Sequence, residues 1–527
     1  MMKDECGMMN GESRRTGPAR AFRSPGIHAW GPTTQSPPCL RPFRGLNPRL
    51  TVAYIFVAVG LMGLQCAAAV GRDIYVNPET GDERSSGLAP EKKGAAGPVK
   101  TMHRAIRMAL AGDTVHLAPL ATAYREVAVF HNAHGEPGRP IIFDAHGATI
   151  TGAEPLNPDD CREISPGLYR TDRLIPAKLV TPEDAVSRRW FFLYAGRINR
   201  MGRTLKGKNA PYKKPAELAI GEWTYQRDEN AFYLKIDPQK TLADYRIQYP
   251  ARGAGVQVSG DCAHLVIRNL VAMHVYNDGF NIHGKTRDVR YENIQSIECG
   301  DDGFSAHDDC DSVIDGFISI GNSTAIANAG RCSTTNNRVF ADKNVGTDLL
   351  FLGSGVHTLT NSHIRCAGAY SLRLYGADAY DNVCTLKLEN VLLERAGETS
   401  PLRIDHNGAL EADHVTLLGL SLQAAGKSVT LRHSAVGGQP PPEWTLSAAT
   451  LWTADHNLYD MKLLQIGNTS YDQPVFSTYQ KITRQDAGSR WAKFHYPPGT
   501  ADEPAWAIPG AGCDPAKLPT AHVKHVP

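Results

Sequence analysis

The sequence predicts an all-β solenoid, in which the chain winds into stacked coils of short strands. Between Cys262 and Cys332 it nearly repeats itself, with a shift of 24 positions between the first two units. Each unit contains short alternating runs of apolar and polar residues bounded by Gly, Asn or Asp, as β-strands do. A strand-rich repeat of this length indicates coils that stack on one another. The recurring residues are Asn269, Asp278, Gly279, Phe280 and His283, then Asn293, Asp302, Gly303, Phe304 and His307.

Composition narrows the class of protein. The chain has 56 Lys and Arg against 54 Asp and Glu, so its net charge does not favour capture of nucleic acid. It has no Gly-rich nucleotide loop between a strand and a helix, and no GxSxG motif, which argues against nucleotide and serine-hydrolase chemistry.

The first 70 residues have the composition of an export leader. Residues 1–50 hold seven arginines with many Pro and Gly, and residues 50–70 form an uncharged apolar run that ends in three alanines. This pattern predicts a cleaved signal peptide and a secreted protein, periplasmic or at the cell surface, with no membrane attachment after cleavage. The alternative is an uncleaved signal anchor that tethers the protein, because the run approaches the ~20 residues that span a bilayer.

Eight cysteines follow the leader, which allows disulfides in an exported chain. Cys310 and Cys332 occupy equivalent positions in successive coils, where strands lie ~4.8 Å apart. They are therefore candidates for a disulfide. The alternative is that both are buried thiols that fill the solenoid interior.

The pattern of strand-like runs divides the chain into five regions. Regular coils lapse after about residue 159, where runs such as GEWTYQRDENAFYLKI alternate like an antiparallel hairpin. Coils resume near residue 251 and become irregular again near residue 440. The predicted regions are a leader (1–70), an N-terminal cap with the first coils (71–159), a small antiparallel insertion (160–250), the main coils (251–440), and a last coil with a C-terminal cap (441–527).

The region 71–159 resembles a known family. A strand at 74–76, a Gly-rich loop, a short amphipathic helix at 102–110 and a strand after an AGD turn precede YREVAVF, GRPIIFDA and ATITGAEPL. This succession resembles the N-terminal cap and first coils of the pectate lyase-like right-handed parallel β-helix superfamily. The resemblance covers about 80 residues and implies the same fold. The hairpin within 160–250 is similar to an insertion in certain β-helix glycosidases.

Alternation along the strands predicts which side chains face outward. Alignment of the coils on their apolar positions gives two outward columns and a set of aspartates at the strand ends. The first column is Asn281, Ser305, Leu350, Arg373 and Arg403, the second is His283, His307, Leu352, Tyr375 and Asp405, and the strand-end acids are Asp278, Asp301, Asp302, Asp308 and Asp309.

These side chains suit a groove for polysaccharide, and glycoside hydrolysis is the preferred hypothesis. Aspartates on adjacent coils lie near the ~5 Å separation of a retaining glycosidase, and proximity raises the pKa of one of them. A hydrolase of this kind requires no cofactor, and we expect a monomer. We expect His283, Arg373, Tyr375, Arg403 and Asp405 to bind substrate. The catalytic candidates are Asp278, Asp301, Asp302, Asp308 and Asp309, with His307 assisting.

Three other interpretations stay open. A lyase or C5-epimerase for an acidic glycan would use a base such as His307 and a group that neutralises the uronate, for which Asp301, Asp302, Asp308 and Asp309 could hold Ca²⁺. GFSAHD (303–308) resembles the GFDPHE-type strand of β-helix alginate epimerases, although it has Ser and Ala where that motif has Asp and Pro. A non-catalytic glycan-binding β-helix is the second alternative. Thirdly, the Asp-Gly pairs could be only turn residues.

Overall fold

Most of the chain after residue 70 is described by a computed structural model. The predicted leader and apolar segment of residues 1–70 lie outside the described residues. No helix in the described part is both long and apolar enough to cross a membrane. The described residues are 71–175, 188–207, 209–377, 382–395, 398, 400–494 and 510–520.

The fold is a parallel β-helix, as predicted, and successive coils add strands to two sheets. One sheet, here called the long-strand sheet, has strands of up to 13 residues with all its pairings parallel. Its strands are Asp73–Val76, Thr114–Leu117, Ile141–Asp144, Thr149–Thr151, Asp261–Met273, Lys285–Ile297, Asp309–Cys310, Ser312–Ile320, Thr334–Asp342, Gly355–Arg365, Cys384–Glu394, Gly408–Leu418, Ser428–Arg432, Ala435–Gly437, Leu451–Asp455, Leu458–Tyr459 and Arg490–Trp491.

The other sheet, the short-strand sheet, carries the predicted outward columns. Its strands pair in parallel except the last, which turns back as an antiparallel hairpin. They are Ala128–His131, Ala254–Ser259, Asp278–Ile282, Asp302–Ala306, Thr324–Gly330, Thr347–Gly353, Tyr370–Gly376, Ser400–Asp405, Leu420–Ala424, Glu443–Leu446, Leu463–Ile466 and Thr469–Tyr471.

The strand register follows the 24-residue repeat. Phe280 lies opposite Phe304 in the sheet, and their rings stack inside the coil with centroids 6.2 Å apart. Both are fully buried, and burial of one such side chain is worth about 1.5–3 kcal/mol. The alignment of the coils with one another in the sequence missed one coil. The strand Thr324–Gly330 lies between the coils of Ser305 and Leu350, and it places Ala327 in the first outward column.

The repeated asparagines form corners of the long strands. Asn269 and Asn293 have φ of +57° and +51°, a left-handed conformation that Asn tolerates better than most residues. The Asn293 amide donates to the Asn269 amide oxygen at 3.5 Å. These two members of the repeat therefore stabilise the turn between neighbouring strand segments.

Antiparallel strands occupy the region between the first coils and the main coils. Trp190, Trp223 and Phe232 are buried in a core of their own, with the Trp190 and Phe232 rings stacked 5.0 Å apart. The insertion is thus a separately packed β-structure. One sheet contains Ala153–Pro155, Phe192–Tyr194, Arg197–Asn199 and Gln248–Pro250, and the other contains Arg162–Ser165, Leu168–Thr171, Trp223–Gln226 and Ala231–Lys235.

Both ends of the coil stack are covered, as an open sheet edge requires. The helix Met102–Met108, capped by the Thr101 hydroxyl, buries three apolar residues near the first coils. Parallel pairing continues past residue 440, since Trp444 lies opposite both Leu422 and Leu464. The helix Phe476–Thr483 then follows the closing hairpin. Single 3₁₀ turns are Pro158–Asp160, Pro215–Glu217, Arg227–Glu229, Ala243–Tyr245, Gln473–Val475 and Pro515–Lys517.

The candidate disulfide is not formed. Cys310 and Cys332 are free and fully buried. The Cys332 thiol instead donates to the carbonyl of Ala329 at 3.0 Å, and burial raises the pKa of both thiols to about 12. The disulfide prediction is wrong, and the alternative of inert thiols in the interior describes the structure.

Candidate active site

Three aspartates meet where two adjacent strands of the short-strand sheet begin. Asp278 and Asp302 are the first residues of their strands, and Asp301 immediately precedes the second. Carboxylate oxygens of all three lie within 4.8 Å of one another. They are only 3, 5 and 2% exposed for Asp278, Asp301 and Asp302, respectively. We call these three residues the acid cluster.

Two cations from the antiparallel insertion pair with the acid cluster. Lys206 Nζ lies 2.5 Å from both carboxylate oxygens of Asp302. It also forms an ion pair with Asp301, whose Oδ1 lies 3.4 Å away. That oxygen accepts no hydrogen bond from the described residues. Arg189 Nη1 donates to Asp301 Oδ2 at 3.1 Å. Sequence reasoning missed both cations, whose only signal was the clustering of basic residues between 188 and 206.

A further arginine of the insertion joins the same region to the coils. Arg200 Nη2 donates to the carbonyls of Cys299 and Gly321 at 2.5 and 2.7 Å. The two carbonyls belong to successive coils, so this guanidinium bridges them. Its contacts hold the segment that carries Lys206 against the corner beside the acid cluster.

Hydrogen bonds within the cluster orient Asp278. Its Oδ1 accepts from the Asp302 backbone N–H at 3.0 Å, and its Oδ2 accepts from the Asn277 amide at 3.0 Å. Asn277 in turn accepts a short hydrogen bond from Arg189. The position of Asp278 is therefore determined by both the neighbouring coil and the insertion.

The environment separates the proton affinities of the three carboxyls. Burial, then the charges of Asp302 and Asp301, raise the pKa of Asp278 well above its usual range. Burial and the Asp301 charge also raise the pKa of Asp302, to about 6. Burial opposes ionisation of Asp301 too, but the charges of Lys206 and Arg189 outweigh it and lower its pKa.

Charge balance agrees with these directions. Three ionised carboxylates against two cations would leave one uncompensated buried negative charge, which is costly at low dielectric. Burial alone would lower the pKa of Lys206, but the charges of Asp301 and Asp302 raise it, so the ammonium is retained. At neutral pH the arrangement therefore favours a protonated Asp278 beside an ionised Asp301.

His307 directly follows the strand Asp302–Ala306, two residues beyond the buried Ser305. Its ring stacks on His283 with centroids 4.5 Å apart, and its Nε2 lies 2.8 Å from Ser305 Oγ. Burial, then the charges of His283 and Lys206, lower the pKa of His307 to about 4. The ring is therefore neutral at pH 7 and able to accept a proton.

Asp308 and Asp309 do not join the acid cluster. They follow the five-residue strand Asp302–Ala306, which at ~3.3 Å per residue is about 16 Å long. Asp308 Oδ2 accepts from the Gly284 N–H at 2.9 Å, and Asp309 pairs with Arg287 at 2.8 Å. Two predictions are therefore wrong: these acids are not partners in a carboxylate pair with Asp302, and they do not form a Ca²⁺ site with it.

The carboxylate oxygens of the acid cluster could bind a metal cation, but the Lys206 ammonium already neutralises part of their negative charge. Lys206 Nζ lies within ion-pair distance of both Asp301 and Asp302. A bound Ca²⁺ needs 6–8 oxygen ligands, and here an ammonium contacts the carboxylates in its place. The residues therefore do not fit Ca²⁺ while Lys206 is in this position.

Four predicted substrate-binding residues are partly exposed on the outer face of the short-strand sheet, and we call this surface the open groove: Arg373, Tyr375, Arg403 and Asp405. The fifth, His283, lies instead beside His307. Arg373 lies opposite Arg403, and Tyr375 lies opposite Asp405. The Arg373 guanidinium lies 5.3 and 5.5 Å from the ring centroids of Tyr370 and Tyr375, and Arg403 Nε lies 3.6 Å from Asp405 Oδ2. The Nε atoms of the two arginines have no hydrogen-bond partner among the described residues.

This groove lies some distance from the acid cluster along the stack. The first outward column runs from Ser305 through Ala327 and Leu350 to Arg373. Three coil steps of ~4.8 Å amount to about 14 Å along the stack, and Asp302 lies three residues, about 10 Å, from Ser305 along its strand. The groove and the acid cluster are therefore separated by the length of a few sugar residues.

Comparison with known proteins gives only distant structural likenesses. No protein-family model matches the sequence, and no curated protein matches it. Similar solved structures include a complex of XylC with xylose (13% identity, TM-score 0.40, 75% of this chain and 69% of that chain). Another is described as a glycoside hydrolase (11%, 0.40, 75% and 97%). A third is a GH136 lacto-N-biosidase from Eubacterium ramulus (10%, 0.27, 84% and 70%). At these identities and TM-scores the function has to be argued from the site.

Proposed function

We propose that the protein is a glycoside hydrolase that cleaves polysaccharide at the acid cluster. The observation that carries this proposal is the juxtaposition of a carboxyl that favours its proton, Asp278, with an ionised one, Asp301, within 4.8 Å. Retaining glycosidases use such a pair at a separation of about 5 Å. The apolar run at residues 50–70 predicts export, which suits a polymeric substrate.

The two carboxyls would act in two steps. Asp278 donates its proton to the glycosidic oxygen as the C1–O bond breaks, and Asp301 forms a bond to C1. Asp278, now ionised, then accepts a proton from water as the water oxygen attacks C1 and releases Asp301. Asp302 supports the pair, because its charge raises the pKa of Asp278.

Substrate access requires a movement of Lys206. The three carboxyls are buried, and Lys206 Nζ contacts Asp302 on the side of the insertion. The lysine belongs to the antiparallel insertion, outside the coils of the solenoid. We therefore propose that the Lys206 side chain moves aside when a sugar enters, while Arg189 stays paired with Asp301, and that sugar hydroxyls take over the hydrogen bonds of the lysine to Asp302.

The open groove would hold sugars beyond the scissile bond. The Arg373 guanidinium, which lies over the rings of Tyr370 and Tyr375, offers donors to sugar hydroxyls. Asp405, on the neighbouring strand, offers a carboxylate. Arg373 and Arg403 suit hydroxyls and acidic substituents alike, because a guanidinium can donate two parallel hydrogen bonds. The separation from the acid cluster, about 14 Å along the stack and about 10 Å along the strand, or about 17 Å in all, fits an extended chain that spans both places.

A second candidate function is lyase or epimerase action, and the neutral His307 favours it. Proton abstraction next to a uronate requires a base and, beside it, a group that neutralises the carboxylate. Arg373 lies three coils from the coil of His307, about 14 Å at ~4.8 Å per coil. The base and these arginines are therefore not adjacent, and we prefer hydrolysis.

A panel of neutral and acidic polysaccharides tests the proposal. The untagged protein is incubated with each glycan, and new reducing ends and unsaturated uronates are measured in parallel. We expect reducing ends without the unsaturated product. Unsaturated uronate would favour the lyase, and binding without turnover on any glycan would favour a non-catalytic module.

Site variants then test the residue roles. We expect Asp278→Asn and Asp301→Asn each to lower kcat by at least about 100-fold, the scale of general acid and nucleophilic catalysis. Asp308→Asn is the matched control and should retain activity, since Asp308 lies at the far end of the strand. Azide should restore turnover to Asp301→Ala as a glycosyl azide. Full activity in both Asn variants would refute the assignment.

A further inference from the structure

Histidines replace asparagines at one corner of the last coils. Asn361 and Asn390 occupy this corner with φ of +46° and +53°, and the Asn390 amide donates to the Asn361 amide oxygen at 3.0 Å. In the next three coils the same corner holds His414, His433 and His456, again with positive φ. Asparagine suits this conformation, and its amides form a ladder of hydrogen bonds along the corner. Histidine keeps the same backbone conformation but offers imidazole nitrogens, which can bind a metal ion.

Two of these histidines converge on one carboxylate. Asp413 Oδ1 lies 2.9 Å from His414 Nδ1 and 2.9 Å from His433 Nδ1. One atom from each of the three residues lies within 4.8 Å of the others. The two rings lie 4.9 Å apart and 20° from parallel.

The donor set and spacing suit a transition metal. Ligand atoms about 2.0–2.2 Å from an ion at octahedral or tetrahedral angles lie about 3.0–3.5 Å from each other, close to the two distances to Asp413 Oδ1. Two imidazoles with a carboxylate suit Zn²⁺, Co²⁺, Ni²⁺ or Cu²⁺ better than Ca²⁺. Binding requires the stacked rings to turn so that both Nδ1 lone pairs converge. The side chains of His414 and His433 are 56 and 42% exposed, so this rotation is open to them.

A cavity lies against the same histidines. It has a volume of about 490 Å³ and is bounded by His414, His433 and Glu389 on the coils and by residues 510–514 of the C-terminal segment. The Gly512 N–H donates to the His433 carbonyl at 2.8 Å. An ion at this corner would have room for water ligands, and it would lie where the C-terminal segment is attached.

We propose that Asp413, His414 and His433 form a binding site for a divalent transition metal, with Zn²⁺ as the model ion. The ion stabilises the last coils and the C-terminal segment docked on them. This site is independent of the acid cluster and of the proposed hydrolase activity.

Metal binding to the untagged full chain tests the proposal. After chelator treatment, Zn²⁺ binding is measured by calorimetry, Co²⁺ binding by its visible absorption, and Tm with and without Zn²⁺. We expect one saturable site, a Co²⁺ spectrum with nitrogen ligands, and a higher Tm with Zn²⁺.

The variants use the residue that earlier coils carry at this corner. His414→Asn and His433→Asn should each weaken Zn²⁺ binding at least about tenfold and remove the Tm increase, because each loses one nitrogen ligand. His456→Asn is the matched control, since the His456 ring neighbours that of His433, with centroids 5.3 Å apart, and lies outside the ligand set. Absence of a saturable site, or undiminished binding in the His414→Asn/His433→Asn double variant, would overturn the proposal.

Discussion

The acid cluster and the open groove belong to the same sheet but present their charges differently. Asp301 and Asp302 are buried and contact Lys206, a cation from outside the solenoid. Arg373 and Arg403 are partly exposed neighbours, with Asp405 as a distant counter-charge at 3.6 Å. The coils provide equivalent positions at both places, so the difference comes from what covers them.

The covering insertion changes the chemistry of the carboxyls beneath it. Removing water makes each charge more costly and strengthens each interaction between charges. The result is a raised pKa at Asp278 and a lowered pKa at Asp301 from identical side chains. A solenoid repeat thus gives stacked acids, and an inserted segment gives them distinct roles.

The largest expected effect is the loss of the buried cation. Lys206→Met should lower the free energy of unfolding by about 3–5 kcal/mol at pH 8, because it leaves buried carboxylates without their partner. The loss should be smaller at pH 5. The pKa of Asp302 in the folded protein is raised to about 6. A carboxyl with a raised pKa destabilises the fold as the pH rises through that value, because the folded state must then give up a proton that it binds tightly. Without Lys206 the pKa of Asp302 rises further, so the loss is greater at pH 8 than at pH 5.

Urea denaturation at the two pH values measures this effect. Lys213→Met is the matched control, because Lys213 pairs with Glu222 at 2.5 Å on the surface of the same insertion and an exposed pair is worth about 1 kcal/mol or less. Equal losses for the two lysine variants would show that the insertion gives Asp302 no special environment.

Sequence alone predicts the solenoid because its signal is local and repeated. Phe280 and Phe304 stack as their 24-residue spacing predicts, and the outward positions of Arg373 and Tyr375 follow from strand alternation. The coil Thr324–Gly330 was missed because its inward and outward positions include Asn328 and Ala327, which reverse the usual polarity.

The site was only half predictable for a related reason. Asp278 and Asp302 follow from the repeat, but their cations Arg189 and Lys206 come from about 100 residues earlier in the chain. No spacing rule links an insertion loop to a coil corner. The prediction that Asp308 and Asp302 share one site was wrong because a strand is extended. Each residue of a strand adds about 3.3 Å, so residues six positions apart lie far from each other.

A smaller effect is expected at His307, which follows the strand that begins with Asp302. Its pKa in the folded protein is lowered to about 4 from an ordinary value of 6.5. A lowered pKa means that the neutral ring stabilises the fold above pH 6.5 and that this contribution is lost as pH falls toward 4. The stability advantage of the wild type over His307→Gln should therefore shrink across this window.

Paired denaturation curves between pH 4 and 7 measure this change, with His264→Gln as the control for a partly exposed histidine that pairs with Asp288. An NMR titration of His307 that gives a pKa near 6.5 would contradict the expectation. Such a value would mean that burial and the charge of Lys206 do not lower the pKa of His307.

The smallest effect on stability is expected in the open groove, where binding should change instead. Arg403→Gln should alter the free energy of unfolding by about 0.5 kcal/mol or less, because the guanidinium has only a weak ion pair and a like-charged neighbour in Arg373. On the glycan that the wild type hydrolyses, KM should rise about tenfold with kcat nearly unchanged, as expected when contacts equal in ground and transition states are lost. Arg290→Gln, on the long-strand sheet, should change neither constant. A fall in kcat with unchanged KM would instead place Arg403 in the chemical step and bring the groove and the acid cluster into one site.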